Sequence, residues 1–369
     1  MKRAMRAALT LLMLLHGFAV AEVEIRGVRH DRDVLDRNAN DQVTIRFELS
    51  QSARVTLNLF DGRDLLIRKI SNNLPQGAGE HSVVWDARDQ DGRPVPPGAY
   101  HYTLVAETES GSVEHDLTDL TGGKDLQVWG VEWDQDHGTI HYVLPENARV
   151  NIRLGLKDGG PLLRTLINWV DRPAGTQTQA WDGKDASGTL DLSQHPQLLV
   201  GVQAFSLSDN TILVGPHQDR NQLIDPLPWG EIRREVKRTE RKRMYAHAQQ
   251  SMETRGDFEI QLTLPESLTR NEDGIPIVSG VVPVRLTIDD RDRVRALARR
   301  FEPVFFLDGA FVFENEAGFL PTTWNWDTGG VNPGVHYLTA NLRGYEGNFG
   351  IATLKVVVPE IQGGTHVAR

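Results

Sequence analysis

Strict alternation of apolar and polar residues is written twice in this chain, and the second version follows the first by about 95 residues. From Gln42 to Leu49 the apolar side is Val43, Ile45, Phe47 and Leu49 and the polar side is Gln42, Thr44, Arg46 and Glu48, the period of a half-buried strand. After a break at Ser52-Ala53, alternation resumes through Val55, Leu57 and Leu59 and stops at the turn Asp61-Gly62. The second version reads Ile140, Tyr142 and Leu144, a break at Asn147-Ala148, then Val150, Ile152 and Leu154 before Asp158-Gly159. Ala78-Gly79, Trp85-Asp86, and Asp89 with Gly92 return as Ala174-Gly175, Trp181-Asp182, and Asp185 with Gly188, each 96 residues on. This period exceeds that of stacked solenoid repeats and equals the size of a β-sandwich module. The chain is therefore predicted to hold tandem sandwiches, each with its own core.

A third, looser copy starts near Asp257 with the alternating run Phe258 to Leu262, continues through Val282, Val284, Leu286 and Ile288, and reaches Val304 to Leu307 before Asp308-Gly309. It carries Trp326-Asp327, and its Pro333-Gly334-Val335-His336-Tyr337 parallels Pro97-Gly98-Ala99-Tyr100-His101-Tyr102 as a turn feeding the final strand. Between the second and third copies, Trp229 to Arg255 lacks alternation and is rich in helix formers, which predicts a helix. A second helix is expected over Asp289 to Arg300, pinned by Val294, Leu297, Ala298 and Phe301 at helical spacing, with a long charged loop as the alternative. The expected organisation is a leader at 1–21, sandwiches at 22–118 and 119–226, a charged helical linker at 227–256 and a third sandwich at 257–369. The fold class is all-β, with three tandem immunoglobulin-like β-sandwiches.

The 369 residues carry 50 acidic and 40 basic side chains, a formal charge of −10. Lys2, Arg3 and Arg6, the apolar run Ala8 to Val20 and the small residues Ala19-Val20-Ala21 have the form of a secretory leader cleaved after Ala21. Its removal would take the charge to −13, a poor match for nucleic acid or anionic lipid. The absence of cysteine excludes disulfides, thiolate metal sites and cysteine nucleophiles. The expected destination is the periplasm or the cell exterior, with no stable membrane insertion once the leader is gone.

The run from Trp85 to Tyr100, with Ser52-Ala53-Arg54-Val55 and Asp61-Gly62 before it, resembles the immunoglobulin-like module named from flagellar hook-capping (FlgD) proteins. The resemblance covers Asp36 to Ala106 well and Gly138 to Phe205 moderately. It implies a non-catalytic β-sandwich appended to surface, secreted or envelope proteins; it does not imply hook capping, whose export signals and partner domain are not recognisable here.

The repeated motif residues Trp85, Asp86, Asp89, Gly92, Trp181, Asp182, Asp185 and Gly188, with Trp326 and Asp327, are read as structural: buried indoles, and carboxylates that fix the following turn. A calcium cage from Asp86, Asp89 and Asp91, or from Asp36, Asn38, Asn40 and Asp41, is the alternative. The spacing is not that of an EF-hand, and Ser187 replaces Asp91 in the second copy. His137 and His141 stand in strand-like sequence and are expected on the surface rather than on a metal. Trp129, Trp133, Trp169, Trp229 and Trp324 are expected to pack in cores or between modules, with an exposed sugar-binding platform as the alternative. Seven basic against three acidic side chains give Glu231 to Arg243 a net +4, and Arg233, Arg234, Lys237, Arg238 and Arg241 among them are read as a solvated spacer or a dock for an acidic partner. With no phosphate loop, nucleophile elbow or acid/base pair, no catalytic residue, metal or cofactor is assigned. The expected function is non-enzymatic: an exported scaffold or binding protein making protein contacts in the envelope or outside the cell, with glycan binding as the alternative.

Overall fold

The computed structural model describes residues 22–36, 39–62, 65–117, 124–215, 257–297, 300–316, 318–344 and 347–360. The leader, the helix expected over Trp229–Arg255 and the basic residues Arg233, Arg234, Lys237, Arg238 and Arg241 lie outside the described residues.

The first alternating block folds into β1 (Ile25–His30), β2 (Val34–Asp36), β3 (Val43–Leu49), β4 (Ala53–Asp61), β5 (Leu66–Gln76), β6 (Gly79–Trp85), β7 (Gly98–Thr108) and β8 (Gly111–His115). The order β1-β3-β6 makes one sheet, while β7, β4 and β5 belong to the other. The alternation is borne out residue by residue: Val43, Ile45, Phe47 and Leu49 are buried and face Val55, Leu57 and Leu59 in one core closed by Trp85.

The second block follows with β9 (Asp125–Leu126), β10 (Trp129–Asp134), β11 (Thr139–Leu144), β12 (Ala148–Leu156), β13 (Leu162–Arg172), β14 (Gly175–Ala180) and β15 (Leu198–Ser206). Its sheets are β10-β11-β14 and β13-β12-β15-β9, sharing a core that includes Ile140, Tyr142, Ile152 and Trp181.

The next strand, β16 (Thr211–Gly215), departs from the expected organisation. It falls within the span expected for the second sandwich, yet it pairs antiparallel with β7 and parallel with β2 of the first. Ile212 and Val214 are fully buried in the first core. The physical reason is the β7 edge: β8 covers only Leu104–Thr108, so the stretch Gly98–His101 needs another partner for its backbone groups, and β16 supplies it. The first sandwich therefore has its own core but does not complete it from one continuous stretch of chain.

The third block comprises β17 (Ile260–Thr263), β18 (Val281–Ile288), α1 (Asp290–Leu297), β19 (Phe301–Leu307), β20 (Ala310–Glu314), β21 (Thr322–Asp327), β22 (Gly334–Gly344) and β23 (Phe349–Val358). Its sheets are β17-β18-β21 and β20-β19-β22-β23. Here the Pro-Gly turn feeds β22, the penultimate strand, and β23 pairs along the length of β22. The expectation that this turn introduces the closing strand is corrected, since β7 of the first sandwich is likewise followed by β8 and β16. The helix α1 forms, but Val294 and Leu297 are exposed and Ala296 is the residue that packs inward. Asp289 caps it by accepting the Arg291 amide at 2.9 Å.

The middle sandwich is gripped from both sides. Every residue of β12 is buried, including Arg149, Asn151 and Arg153 on the face that alternation would leave in water. Arg149 Nε donates to Asp171 (2.9 Å), whose other oxygen accepts the Ala99 amide of the first sandwich (3.1 Å). Arg153 reaches the third: its Nη2 donates to Asp257 (2.6 Å) and to the Gly347 carbonyl (2.8 Å), and the guanidinium lies 4.6 Å from the Phe349 ring centroid. Asn341 exchanges two hydrogen bonds with the backbone of Leu162 (2.7 and 2.8 Å).

If β16 belongs energetically to the first core, Ile212→Ala should destabilise that core by about 2–5 kcal/mol. Native-state hydrogen exchange is the check: protection should fall in β3, β4 and β6, with β11 and β14 little changed.

Candidate functional site

The residues that most resemble a chemical site lie in the loops after β6 and β14. In the first loop the Trp85 indole N–H donates to the Arg88 carbonyl (2.9 Å), and Asp86 accepts Arg68 Nη1 (2.7 Å). In the second, Trp181 donates to the Lys184 carbonyl (2.9 Å), and Asp182 accepts Arg164 Nη1 (2.6 Å). Arg68 and Arg164 are themselves 96 residues apart, so the repeat extends to the partner of the acid. Burial opposes ionisation of Asp182, but the Lys184 amide and the Arg164 charge outweigh it and hold its carboxyl below the usual range.

Asp89 and Asp185 are the centres of the two loops, and both are buried. One Asp89 oxygen accepts the amides of Asp91 (2.9 Å) and Arg93 (2.8 Å), and the other accepts Arg93 Nε (3.0 Å). Asp185 accepts the amides of Thr189 and Leu190 (both 2.9 Å) on one oxygen and the Ser187 hydroxyl (2.6 Å) on the other. In each loop both carboxylate oxygens accept from N–H or O–H donors of residues that follow the aspartate, which orders the loop. Gly92 (φ +79°) and Gly188 (φ +71°) take the left-handed conformation that brings the chain back. Among the described residues no group of three or more His, Asp or Glu side chains is placed to hold a metal ion.

The third sandwich keeps the indole but moves the loop. Trp326 is buried, and Asp327 accepts the Gly329 amide (2.9 Å). The ordered turn instead precedes β18, where Asn271 accepts the amides of Asp273 (3.1 Å) and Ile275 (2.8 Å) and Gly274 has φ +75°. Arg270 donates to the Gly274 carbonyl (2.7 Å) as Arg88 does to that of Gly92 (2.8 Å), and the bridges Arg270–Pro276 and Arg88–Pro94 correspond. The shared pattern Arg-(Asn/Asp)-x-Asp-Gly-x-Pro was available in the sequence, but its offset is not a multiple of the repeat.

Of the tryptophans outside the Trp-Asp motif, Trp169 is buried against Phe205, and Trp133 is half-buried at 4.5 Å from the Trp181 ring. Trp324 stacks on Phe313 (5.2 Å, 6°), and Trp229 lies outside the described residues. Trp129, on the edge strand β10, is the exposed one among the described residues, at 49%. His137 and His141 both approach Asp134, at 2.7 and 3.9 Å, on the surface of the β10–β11 turn.

Removing the loop anchor by Asp89→Ala should cost about 1–3 kcal/mol, because buried amides lose their acceptor. Gly92→Ala should cost about 1–2 kcal/mol from backbone strain alone, since no atom lies within 4 Å of the added methyl. Denaturant melts of the two variants provide the measurement.

His336, just after the Pro-Gly turn of the third sandwich, carries a pH dependence. Partial burial works against its charged form, but the Asp308 carboxylate at 2.5 Å and the Asn332 carbonyl at 2.7 Å prevail and hold its pKa above the ordinary value. A raised folded-state pKa gives stability that is complete below the unfolded value, about 6.5, and is lost as pH rises through the folded value. Melting of the third sandwich should therefore decline over that interval, and His336→Gln should flatten the decline.

None of the curated proteins matches the sequence. Among solved structures, a bacterial 1.5-MDa ice-binding adhesin overlays 92% of this chain and 99% of its own at 11% identity and TM-score 0.18. PorU from Porphyromonas gingivalis, a latent dimer, overlays 92% of this chain and 34% of its own at 11% identity and TM-score 0.19. A Bacteroides ovatus protein of a mixed-linkage glucan utilisation locus, solved with a heptasaccharide, overlays 92% and 70% at 12% identity and TM-score 0.19. Residues 33–110, from the approach to β2 through β7 of the first sandwich, match the family described as the FlgD Ig-like domain.

Proposed function

We propose that the chain is an exported, non-enzymatic binding or scaffold protein of the bacterial envelope or exterior, acting through protein contacts of its immunoglobulin-like modules. The supporting observation is that the side chains most suggestive of chemistry are already engaged within the fold. Asp86 and Asp182 hold arginines, Asp89 and Asp185 hold loop amides, and Trp85, Trp181 and Trp326 fill cores. What the fold leaves outward is sheet edge: β10 with exposed Trp129 and Val131, and β20 with exposed Phe311 and Val312. An edge strand offers unpaired backbone groups and a row of side chains to a partner strand. Among the described residues no helix is long and apolar enough to cross a membrane. The leader ending at Ala21 carries the export part of the proposal, and Arg233, Arg234, Lys237, Arg238 and Arg241 offer a contact for an acidic partner.

The test is capture from an envelope fraction by the mature protein. Trp129→Arg or Phe311→Arg should abolish capture, whereas Asp89→Ala should lower the melting point and leave capture intact. Turnover of a substrate by the purified protein, abolished by one carboxylate substitution, would overturn the reading.

A further inference from the structure

We infer that β2 and β16 form a shear clamp, so that the chain carries tension between its N-terminal side and the residues beyond Gly215 while the second sandwich is shielded from that tension. Val34, Leu35 and Asp36 pair in parallel with Leu213, Val214 and Gly215. In a parallel pair the chain enters one strand and leaves the other at opposite ends. Pulling the two outward therefore loads their hydrogen bonds together, whereas an antiparallel hairpin opens one bond at a time.

The surroundings reinforce the pair. Leu35, Leu213 and Val214 have no exposed surface, so sliding the strands would drag apolar side chains out of packed surroundings. The Leu213 amide donates to the Asp33 carbonyl (2.8 Å). Asn210, fully buried, donates its side-chain amide to the Tyr102 carbonyl (2.7 Å), and its own carbonyl accepts the Tyr102 amide (3.2 Å). The Tyr102 hydroxyl stands 3.1 Å from His30, whose other nitrogen stands 2.8 Å from Asp33. These contacts tie the β1–β2 crossover, β7 and the entry to β16 into one unit.

The sequence order makes the arrangement unusual. All of β9 to β15 lies between the two clamp strands in the chain but outside the direct line from β2 to β16. The second sandwich is thus a loop in the covalent force path, and once its side-chain contacts to the third sandwich have released, it takes load only after the clamp has parted.

The chain has no cysteine, so Glu22→Cys and Glu360→Cys give unique handles for optical-tweezers pulling of the mature protein. The expected record has no release of the length of the second sandwich before the rupture that frees the stretch between Asp36 and Leu213; the third sandwich gives its own separate step. Leu35→Pro, which breaks the ladder, should abolish the high-force rupture while the later steps keep their lengths, showing that the remaining sandwiches are folded. Release of the second sandwich ahead of the clamp in the unsubstituted protein, which needs no variant to fold, overturns the inference. So does an unchanged rupture force in a folded Leu35→Pro protein.

Discussion

The backbone of β7 imposes the constraint on which the arrangement rests. Its amides and carbonyls at Gly98–His101 lie in a sheet whose side chains are buried, where unpaired polar groups are costly. The hairpin to β8 leaves this stretch uncovered, and the chain fills it only after building an entire second sandwich. Because Ile212 and Val214 enter the first core from that distance, the first sandwich is complete only when the second has positioned their strand. Two modules that read as separate in sequence are thereby coupled in folding, with β16 a high-separation contact of the kind that forms late.

Burial of β12 on both faces follows from the same coupling. A strand facing water on one side tolerates arginines there without consequence, but Arg149 and Arg153 are nearly sealed, each against an aspartate and each directed to a different neighbouring sandwich. Such pairs contribute little net stability relative to apolar replacements, yet breaking one by removing a single partner typically costs about 3–5 kcal/mol. Their effect is to fix relative placement. The fork of Arg153 is satisfied only when Asp257, the Gly347 carbonyl and the Phe349 ring are all in position, a condition that few alternative dockings meet.

Much of this was legible in the sequence and some was not, for identifiable reasons. Alternation found β3, β4, β11 and β12 because one face of each packs into a core, and the repeated Trp-Asp-x-x-Asp pattern found the ordered loops because their bonds are local. Burial of Arg149, Asn151 and Arg153 was not legible, since period-two patterning records which residues share a face and not what covers it. The partner of Thr211–Gly215 was illegible for a related reason: a buried run with apolar residues throughout fits any open edge. In α1, helical spacing identified the element and its buried follower Phe301, which opens β19, but Val294 and Leu297 remain outside while the short side chain of Ala296 joins the core; Ala298 lies outside the described residues. The Asn271 turn does not fall at the repeat spacing, although its residues match those of the Asp89 loop.

The three ordered turns show how a structural motif can imitate a reactive one. A buried aspartate beside an arginine and a tryptophan has the composition of a catalytic or metal centre, and composition alone cannot separate the two. Geometry does. Around Asp89 and Asp185 the donors are amides of residues two to five positions ahead, so the acid is spent on closing its own loop. The third sandwich makes the same turn with Asn271, whose neutral amide oxygen accepts the same pair of bonds. A role that asparagine can fill requires an acceptor and not a charge, and accepting the amides two and four positions ahead is what closing such a turn demands.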